Sequence, residues 1–120
     1  MAIHNIIGQK GEEIAACYLM DNGYKILERN WRFKKTELDI ITRKDDLIVV
    51  VEVKTRTSKF VENLSEIVPR KKQKAIIIAA DAYIDRKGLS DEVRFDILFI
   101  ELKDDSYTLD HLKDAFTPIG

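Results

Sequence analysis

Two carboxylates and a lysine stand at a spacing that suits the hydrolysis of phosphodiester bonds. Asp39 lies in an acidic segment at residues 37–42, and Glu52 and Lys54 end the apolar run that begins at Leu47. Neighbouring carboxylates attract a divalent cation, and Mg²⁺ (or Mn²⁺) prefers such oxygen ligands. A bound cation stabilises charge on a phosphoryl oxygen, and an ammonium group beside it positions or activates water. We therefore predict that Asp39 and Glu52 bind the metal and that Lys54 acts on the water.

A hairpin would bring the three residues to one end of a sheet. The β-branched run at residues 47–54 predicts a central strand buried on both faces, and the polar turn before it predicts antiparallel pairing with the acidic segment. With the turn centred near Asp45, Asp39 lies opposite Val51, and a bulge or a modest shift brings it to Glu52. The alternative is an ordinary ion pair, since a glutamate and a lysine two residues apart share one face of a strand.

The remaining pattern predicts the elements that hold this hairpin. Apolar residues at helical spacing over residues 9–22 predict a first helix, which Asn22-Gly23 ends. Pro69 and the apolar face that follows it predict a second helix to about residue 86. The predicted strands are 24–33, 37–42, 47–54, 93–102 and a short one at 107–109. The order αβββαβ, with an additional last strand, predicts a mixed α/β domain whose central sheet is flanked by helices.

The composition predicts one domain over residues 1–120 and excludes several classes of protein. Lys and Arg number 20 and Asp and Glu 21, a net charge of −1 that excludes a uniformly basic nucleic-acid binder. The single cysteine, Cys17, can form neither an internal disulfide nor a cysteine-rich zinc site, and we predict that it packs in or near the core. His4 and His111 are isolated and predicted at the surface. No apolar run approaches the ~20 residues that span a bilayer, so we expect a cytoplasmic protein with no membrane partner.

Charge is unevenly distributed, with a basic middle and an acidic tail. Residues 53–74 carry a net charge of +5 and residues 96–114 a net charge of −4. The basic stretch predicts an anionic partner, DNA, held through its phosphates. The residues predicted to bind it are Arg56, Arg70, Lys71, Lys72 and Lys74, of which the last four open the second helix. Cations there oppose the helix dipole, which disfavours a purely structural role, and a solvated helix surface is the alternative.

The residues of the hairpin resemble a known group of enzymes. Asp39, followed by Glu52-Val53-Lys54, resembles the PD-(D/E)xK nuclease signature, and the order αβββαβ resembles the core of the restriction-endonuclease-like fold. More specifically, the chain is similar to the YraN-like family of small bacterial proteins, within the Holliday-junction-resolvase-like superfamily. The matching segments are Gly8-x-x-Gly11-Glu12, Ala15, Gly23-Tyr24, Asn30, Glu37-Leu38-Asp39, Val51-Glu52-Val53-Lys54-x-Arg56, a lysine within residues 71–74, and Arg94-Phe95-Asp96.

The resemblance implies a third acid at the metal site. A glutamate of the first helix reaches the metal in archaeal Holliday-junction resolvases, and Glu12 matches it by position. The resemblance therefore implies that Glu12 completes the metal shell, directly or through water. An acid favoured by the dipole of the helix N-terminus is the alternative. Thr36 departs from the glycine usual in the family, Leu38 departs from the proline of the signature, and Glu37 is either a second ligand or an outward-pointing residue.

These features predict a metal-dependent endonuclease acting on DNA, with branched or damaged DNA, in repair or recombination, as the substrate. The alternatives are a nucleic-acid-binding module without efficient chemistry, and an interaction subunit of a DNA-processing complex whose central charges are structural ion pairs. A homodimer would match the two strands of a duplex by its two-fold symmetry. The apolar strand at residues 93–102 is then either an interior strand or a dimer edge.

Overall fold

The computed structural model describes residues 3–57 and 68–118. Within them the elements are α1 (Ile3–Asp21), β1 (Lys25–Phe33), β2 (Thr36–Lys44), β3 (Leu47–Arg56), α2 (Arg70–Lys87), β4 (Glu92–Leu102) and β5 (Tyr107–Phe116). The predicted order αβββαβ and the additional last strand are confirmed. Neither helix in these two ranges combines the length and the apolar character that crossing a membrane requires.

The described strands form one sheet in the order β1-β2-β3-β4-β5. β1, β2 and β3 are antiparallel neighbours, and β4 is antiparallel to β5. β3 and β4 are parallel, which requires a crossover connection, and α2 is part of it. β3 is therefore the central strand, as predicted. β4 lies inside the sheet, so the alternative in which it forms a dimer edge is wrong.

Side chains of β3 enter two hydrophobic cores because they alternate between the faces of the sheet. Ile48 and Val50 pack with α2 on one face. Val49 and Val51 pack with α1 on the other. By the same alternation the next residue, Glu52, points to the α2 side. The carboxylate of Glu52 thus occupies a position at which the alternation along β3 predicts an apolar core side chain.

α1 crosses β3 at a close contact between Gly11 and Thr55. A Cβ on Gly11 would overlap the Thr55 side chain, so only glycine lets the two elements approach this closely. α1 begins earlier than predicted, because Gly8 lowers helix stability by only ~1 kcal/mol and Ile7 packs against the core. The helix ends before Gly23, whose φ of 85° is the left-handed turn that the sequence predicted.

The edge strands depart most from the predicted pattern. The pairing of β1 with β2 shifts between Ile26 and Glu28, which explains the imperfect alternation along β1. β5 continues to Phe116, well past the predicted short strand, because charged residues on its outer face and a bulge obscure the alternation. Cys17 is exposed, on the solvent side of α1, so the predicted core position is wrong. The side chain of His4 lies outside the described part of the chain.

Candidate active site

Asp39 lies at the point where β2 and β3 stop pairing. The last pair of their ladder is Ile40 with Val51. One residue further, Asp39 Oδ2 accepts a hydrogen bond of 2.8 Å from the backbone N–H of Val53. The carboxylate thus takes the place of a backbone acceptor and is held at the end of the ladder. The predicted pairing of Asp39 with Val51 is off by one residue, and the actual register brings Asp39 to Glu52.

Glu52 is the buried acid of the site. Its side chain is 1% exposed, and among the described residues neither of its carboxylate oxygens accepts a hydrogen bond. Its ion-pair partner is Lys72, whose Nζ lies 3.5 Å from Oε1 without hydrogen-bond geometry. Burial, and after it the charge of Asp39, raise the pKa of Glu52 to about 8 against the opposing effect of Lys72. The lone pairs of this acid are therefore available to a cation.

Asp39 and Lys54 are buried near Glu52. Their pKa values change in opposite directions. Burial raises the pKa of Asp39, although the Val53 N–H and Lys72 oppose the change. Burial and then the Lys72 ammonium lower the pKa of Lys54, while Glu52 opposes them. Two acids and two lysines therefore lie within electrostatic reach of one another at the end of the β2–β3 ladder.

Glu12 approaches the same site from α1. Burial raises its pKa, the charge of Asp39 adds to the effect, and a hydrogen bond from the Asn30 side chain opposes it. Arg29 Nη2 lies 3.9 Å from Glu12 Oε1. Because α1 begins at Ile3, Glu12 lies near the middle of the helix, and the alternative of an N-terminal acid stabilised by the helix dipole is wrong. The structure thus brings all four predicted catalytic residues to one end of the sheet.

A cleft of about 330 Å³ opens between α1 and the end of β3. Ile7, Gly8 and Glu12 line it from α1, and residues 53–57 line it from β3. A larger cleft of about 730 Å³ lies at the opposite end of β3, beside Leu47. Its lining mixes acidic and basic side chains and contains none of the residues predicted to do chemistry. The smaller cleft is lined by Glu12 and Lys54 and therefore adjoins the site, although Asp39 and Glu52 are not part of its lining.

Two residues contribute to the acidic site in ways that the sequence did not predict. Asn30 adopts a left-handed φ of 54° within β1, and its side chain acts to lower the pKa of Glu12. Its only sequence signal was its place among the family-like segments. Lys72 was predicted as a phosphate contact, yet its ammonium lies against Glu52. The sequence feature that pointed to a role for Lys72 was the run of cations at a helix N-terminus, which the helix dipole disfavours.

The other predicted nucleic-acid-binding residues surround the site. Arg70, Lys71 and Lys74 are exposed at the start of α2, which has no acidic residue in its first turn. Arg56 lies at the cleft, where its Nη1 donates a hydrogen bond of 3.2 Å to the carbonyl of Thr55. The structure thus places three exposed cations at the helix start that carries Lys72, and a fourth cation, Arg56, at the cleft.

Glu37 belongs to the border of the site. Its Oε2 lies 3.4 Å from Arg32 Nε, and its side chain is 36% exposed. Its charge nevertheless contributes to the raised pKa of Asp39. Thr36 pairs with Phe33 directly across the turn that precedes β2, in which a lysine takes the left-handed conformation. Glycine is therefore not required at this position, and the departure from the family pattern leaves the hairpin intact.

The acids fit a hydrated divalent cation. In the described ranges, no group of three or more Asp, Glu, His or Cys side chains is placed to hold a metal ion. Mg²⁺, however, binds through one or two carboxylates and retains several waters, and Asp39 and Glu52 supply that number. The observation that favours a cation here is the pair of buried Glu52 oxygens, which accept no hydrogen bond from residues 3–57 and 68–118. Glu12, as its side chain stands, does not extend the pair to a three-acid group.

A second buried acid, Asp96 on β4, has a full set of partners. Arg94 donates from Nε and Nη2 to its two oxygens, at 2.8 Å each. His111 Nε2 donates at 2.7 Å and the Asp114 backbone N–H at 3.0 Å. Burial alone would raise the pKa of Asp96, and these hydrogen bonds lower it below its usual value. His111 is 6% exposed and also hydrogen-bonded to Tyr18 at 2.8 Å, so its predicted surface position is wrong.

The fold and the site define an α/β domain with two buried acids and two lysines at the end of a hairpin ladder. The uncharacterised protein family UPF0102 matches residues 11–100. The chain is 42% identical over 116 residues to a UPF0102 protein of Parabacteroides distasonis, covering 97% of this chain and 96% of that protein. It is 44% identical over 120 residues to one of Flavobacterium johnsoniae, with 97% and 98% covered, and 44% identical over 119 residues to one of Chlorobium phaeobacteroides, with 93% and 94% covered. The chain belongs to the UPF0102 family, the YraN-like group that its motifs resemble.

Proposed function

We propose that this protein is a divalent-metal-dependent endonuclease that hydrolyses phosphodiester bonds in DNA, with branched or damaged DNA as its substrate. The observation that carries the proposal is Glu52, which is buried beside the carboxylate of Asp39 and accepts no hydrogen bond from the residues that the structure describes. Burying a carboxylate without hydrogen bonds is costly, so its presence points to a ligand that satisfies it. Mg²⁺ or Mn²⁺ is the ligand that a pair of carboxylates favours.

Each residue of the site has a role in this reaction. Asp39 and Glu52 would hold the cation, with Glu12 adding to its shell through water. The cation, when bound, supplies charge stabilisation at a phosphoryl oxygen and a water of lowered pKa. Lys54 orients that water or stabilises the developing negative charge. Arg56 and the basic start of α2 hold backbone phosphates without reading sequence.

A cleavage assay tests the proposal on labelled single-stranded, duplex, flap and four-way-junction DNA with Mg²⁺ or Mn²⁺. The wild type should cut at least one substrate. Glu52→Gln and Lys54→Ala should each slow cleavage by about 100-fold or more, because each removes a group that acts on the reacting phosphate or water. Glu92→Gln is the matched control: it makes the same chemical change at the exposed start of β4 and should cut as the wild type does.

Absence of cleavage with every substrate and both metals would reject the nuclease. DNA binding that survives in Glu52→Gln and weakens with salt would then favour a nucleic-acid-binding module. Absence of both cleavage and binding would favour an interaction subunit whose central charges are structural. Circular dichroism of each variant establishes that it is folded before its activity is compared.

A further inference from the structure

Lys72 reaches the two buried acids from the first turn of α2. Its Nζ lies 3.5 Å from Glu52 Oε1, and its side chain is 44% exposed while that of Glu52 is 1% exposed. Its charge opposes the raised pKa of both Glu52 and Asp39. One ammonium group, open to solvent along its stem, therefore serves as the counterion of both carboxylates.

A second lysine faces the same acids, and the two ammonium groups repel each other. The pKa of Lys54 is lowered by burial and then by the charge of Lys72. Lys54 stands on the central strand, so its backbone is fixed within the sheet. Lys72 stands at a helix start, and its half-exposed side chain meets Glu52 without hydrogen-bond geometry. Of the two lysines, Lys72 is the one that is lightly held.

The start of α2 also lacks what a helix start usually has. Its first turn contains no acidic residue, and Pro69 provides no side-chain cap. Cations at this end oppose the helix dipole, whereas a phosphate would be favoured by the dipole and by the first-turn N–H groups, which have no partner within the helix. The alternative position for the Lys72 ammonium is therefore beside a phosphate at the same helix end.

We propose that Lys72 is a resident counterion, which neutralises Asp39 and Glu52 in the metal-free protein and leaves them when a divalent cation binds. The released ammonium then contacts a phosphate of the nucleic acid. The proposal rests on the metal site of the proposed function. It adds that the Lys72–Glu52 ion pair and the bound cation exclude each other, so metal binding moves one positive charge from the acids to the substrate.

Mg²⁺ affinity without DNA, measured by isothermal titration calorimetry, tests this exclusion. Lys72→Met, which keeps the bulk of the side chain without its charge, should bind Mg²⁺ about fivefold more tightly than the wild type. Lys87→Met removes the same charge from the last turn of the same helix, where the ammonium pairs with Glu28 instead of Glu52, and should bind Mg²⁺ as the wild type does. The titrations are made about one pH unit above the pKa of Glu52, so that protonation of the acid does not mask the effect.

The reactivity of single lysines gives a second measurement on the unaltered protein. Acetylation with an amine reagent, read residue by residue by mass spectrometry, should be about threefold faster at Lys72 when Mg²⁺ is present, because the ion pair no longer holds its ammonium. The rate at Lys74 should stay the same.

The outcomes distinguish this proposal from the proposed function. Equal or weaker Mg²⁺ binding by Lys72→Met, or unchanged reactivity of Lys72, overturns the counterion role even if DNA is cut. Tighter binding by Lys72→Met supports the role even if no DNA is cut. Absence of binding of both Mg²⁺ and Mn²⁺ in every variant overturns both proposals.

Discussion

Glu52 and Asp96 are buried acids on neighbouring strands, and their surroundings are opposite. Asp96 is the ladder partner of Val51, so it and Glu52 point to opposite faces of the sheet at almost the same level. Asp96 is 0% exposed and Glu52 1%. Asp96 accepts four hydrogen bonds, whereas Glu52 accepts none from the described residues. Burial is the same at the two positions, and the supply of donors is what differs.

The contrast separates an acid that builds the fold from an acid held for a ligand. The donors of Asp96 come from β4 and β5, and Arg94 and His111 extend the network to Tyr24 and Tyr18 near α1. Asp96 thereby ties together three elements. Glu52 is tied to one lysine at 3.5 Å. In this fold the number of donors around an acid, and not its depth, indicates its role.

Removing each acid should have opposite effects on stability, and this is the largest difference we expect. Asp96→Ala leaves the Arg94 guanidinium without its acceptor and should lower the free energy of unfolding by about 3–5 kcal/mol. Glu52→Met replaces an acid that accepts no hydrogen bond from the described residues with an apolar side chain of similar size, and should raise it by about 1–2 kcal/mol because the half-exposed Lys72 stays solvated. Urea denaturation of both variants at neutral pH measures the two changes. Destabilisation of similar size in both would remove the distinction.

The two acids should also give the free energy of unfolding opposite dependences on pH. The pKa of Glu52 rises from 4.5 to about 8 on folding, so its stabilising effect is complete below pH 4.5 and is lost as the pH rises through 8. The pKa of Asp96 falls below 3.8, so its effect is present above pH 3.8 and is lost as the pH falls through the folded value.

Urea titrations in the presence of a chelator, repeated across this pH range, measure these slopes. Glu52→Gln should abolish a loss of a few kcal/mol in the free energy of unfolding between pH 4.5 and about 8. Asp96→Asn should instead reduce the loss of stability that occurs as the pH falls below 3.8. A loss between pH 4.5 and 8 that persists unchanged in Glu52→Gln would contradict the raised pKa of Glu52.

Moving α1 should affect the surroundings of both buried acids. This helix carries Glu12 to the Glu52 site and Tyr18 to the Asp96 network. Gly11→Ala forces the helix away from Thr55 and should lower the free energy of unfolding by about 2 kcal/mol. Gly8→Ala makes the same change where no atom lies within 4 Å, and should raise it by about 0.5–1 kcal/mol. Thermal denaturation of the pair compares them, and shifts in the same direction would argue against the tight crossing.

The smallest effect is expected at the rim of the Asp96 network. Tyr18→Phe removes the hydroxyl that lies 2.8 Å from His111 Nδ1 and should cost about 1 kcal/mol. Tyr107→Phe, at a side chain that is 51% exposed, is the control and should leave stability unchanged. Urea denaturation resolves the difference, and equal midpoints would place the Tyr18 hydroxyl outside the network.

Local pattern predicted the part of the site that lies on one hairpin. Glu52 and Lys54 share a face because side chains alternate along a strand, and the position of the turn placed Asp39 within one residue of its actual register. The contact of Lys72 with Glu52 could not be predicted from local pattern. It depends on where the first turn of α2 lies over β3, and the spacing of residues within the helix does not determine that position.

The Asp96 network was also beyond prediction, for a reason that can be named. Asp96 and His111 lie on antiparallel strands, and their pairing shifts between Phe95 and Ile97. Since a shift of one residue turns a side chain to the other face of the sheet, the sequence does not reveal that His111 points at Asp96. The isolation of a histidine in the sequence therefore does not predict whether its side chain is buried or hydrogen-bonded.

The parallel pairing of β3 with β4 has a consequence for how the molecule comes to be folded. Every pair in that ladder joins residues 45 positions apart, from Leu47 with Glu92 to Arg56 with Glu101. Pairing of the antiparallel strands β1–β3 closes only short loops, so these strands should form first. Pairing of β4 with β3 closes a long loop and should therefore occur later. Pulse-labelled hydrogen exchange should accordingly protect amides of β2 before those of β4. During synthesis, Asp39 and Glu52 are thus made well before Lys72 and β4, and any activity of this site can begin only after β4 has been made.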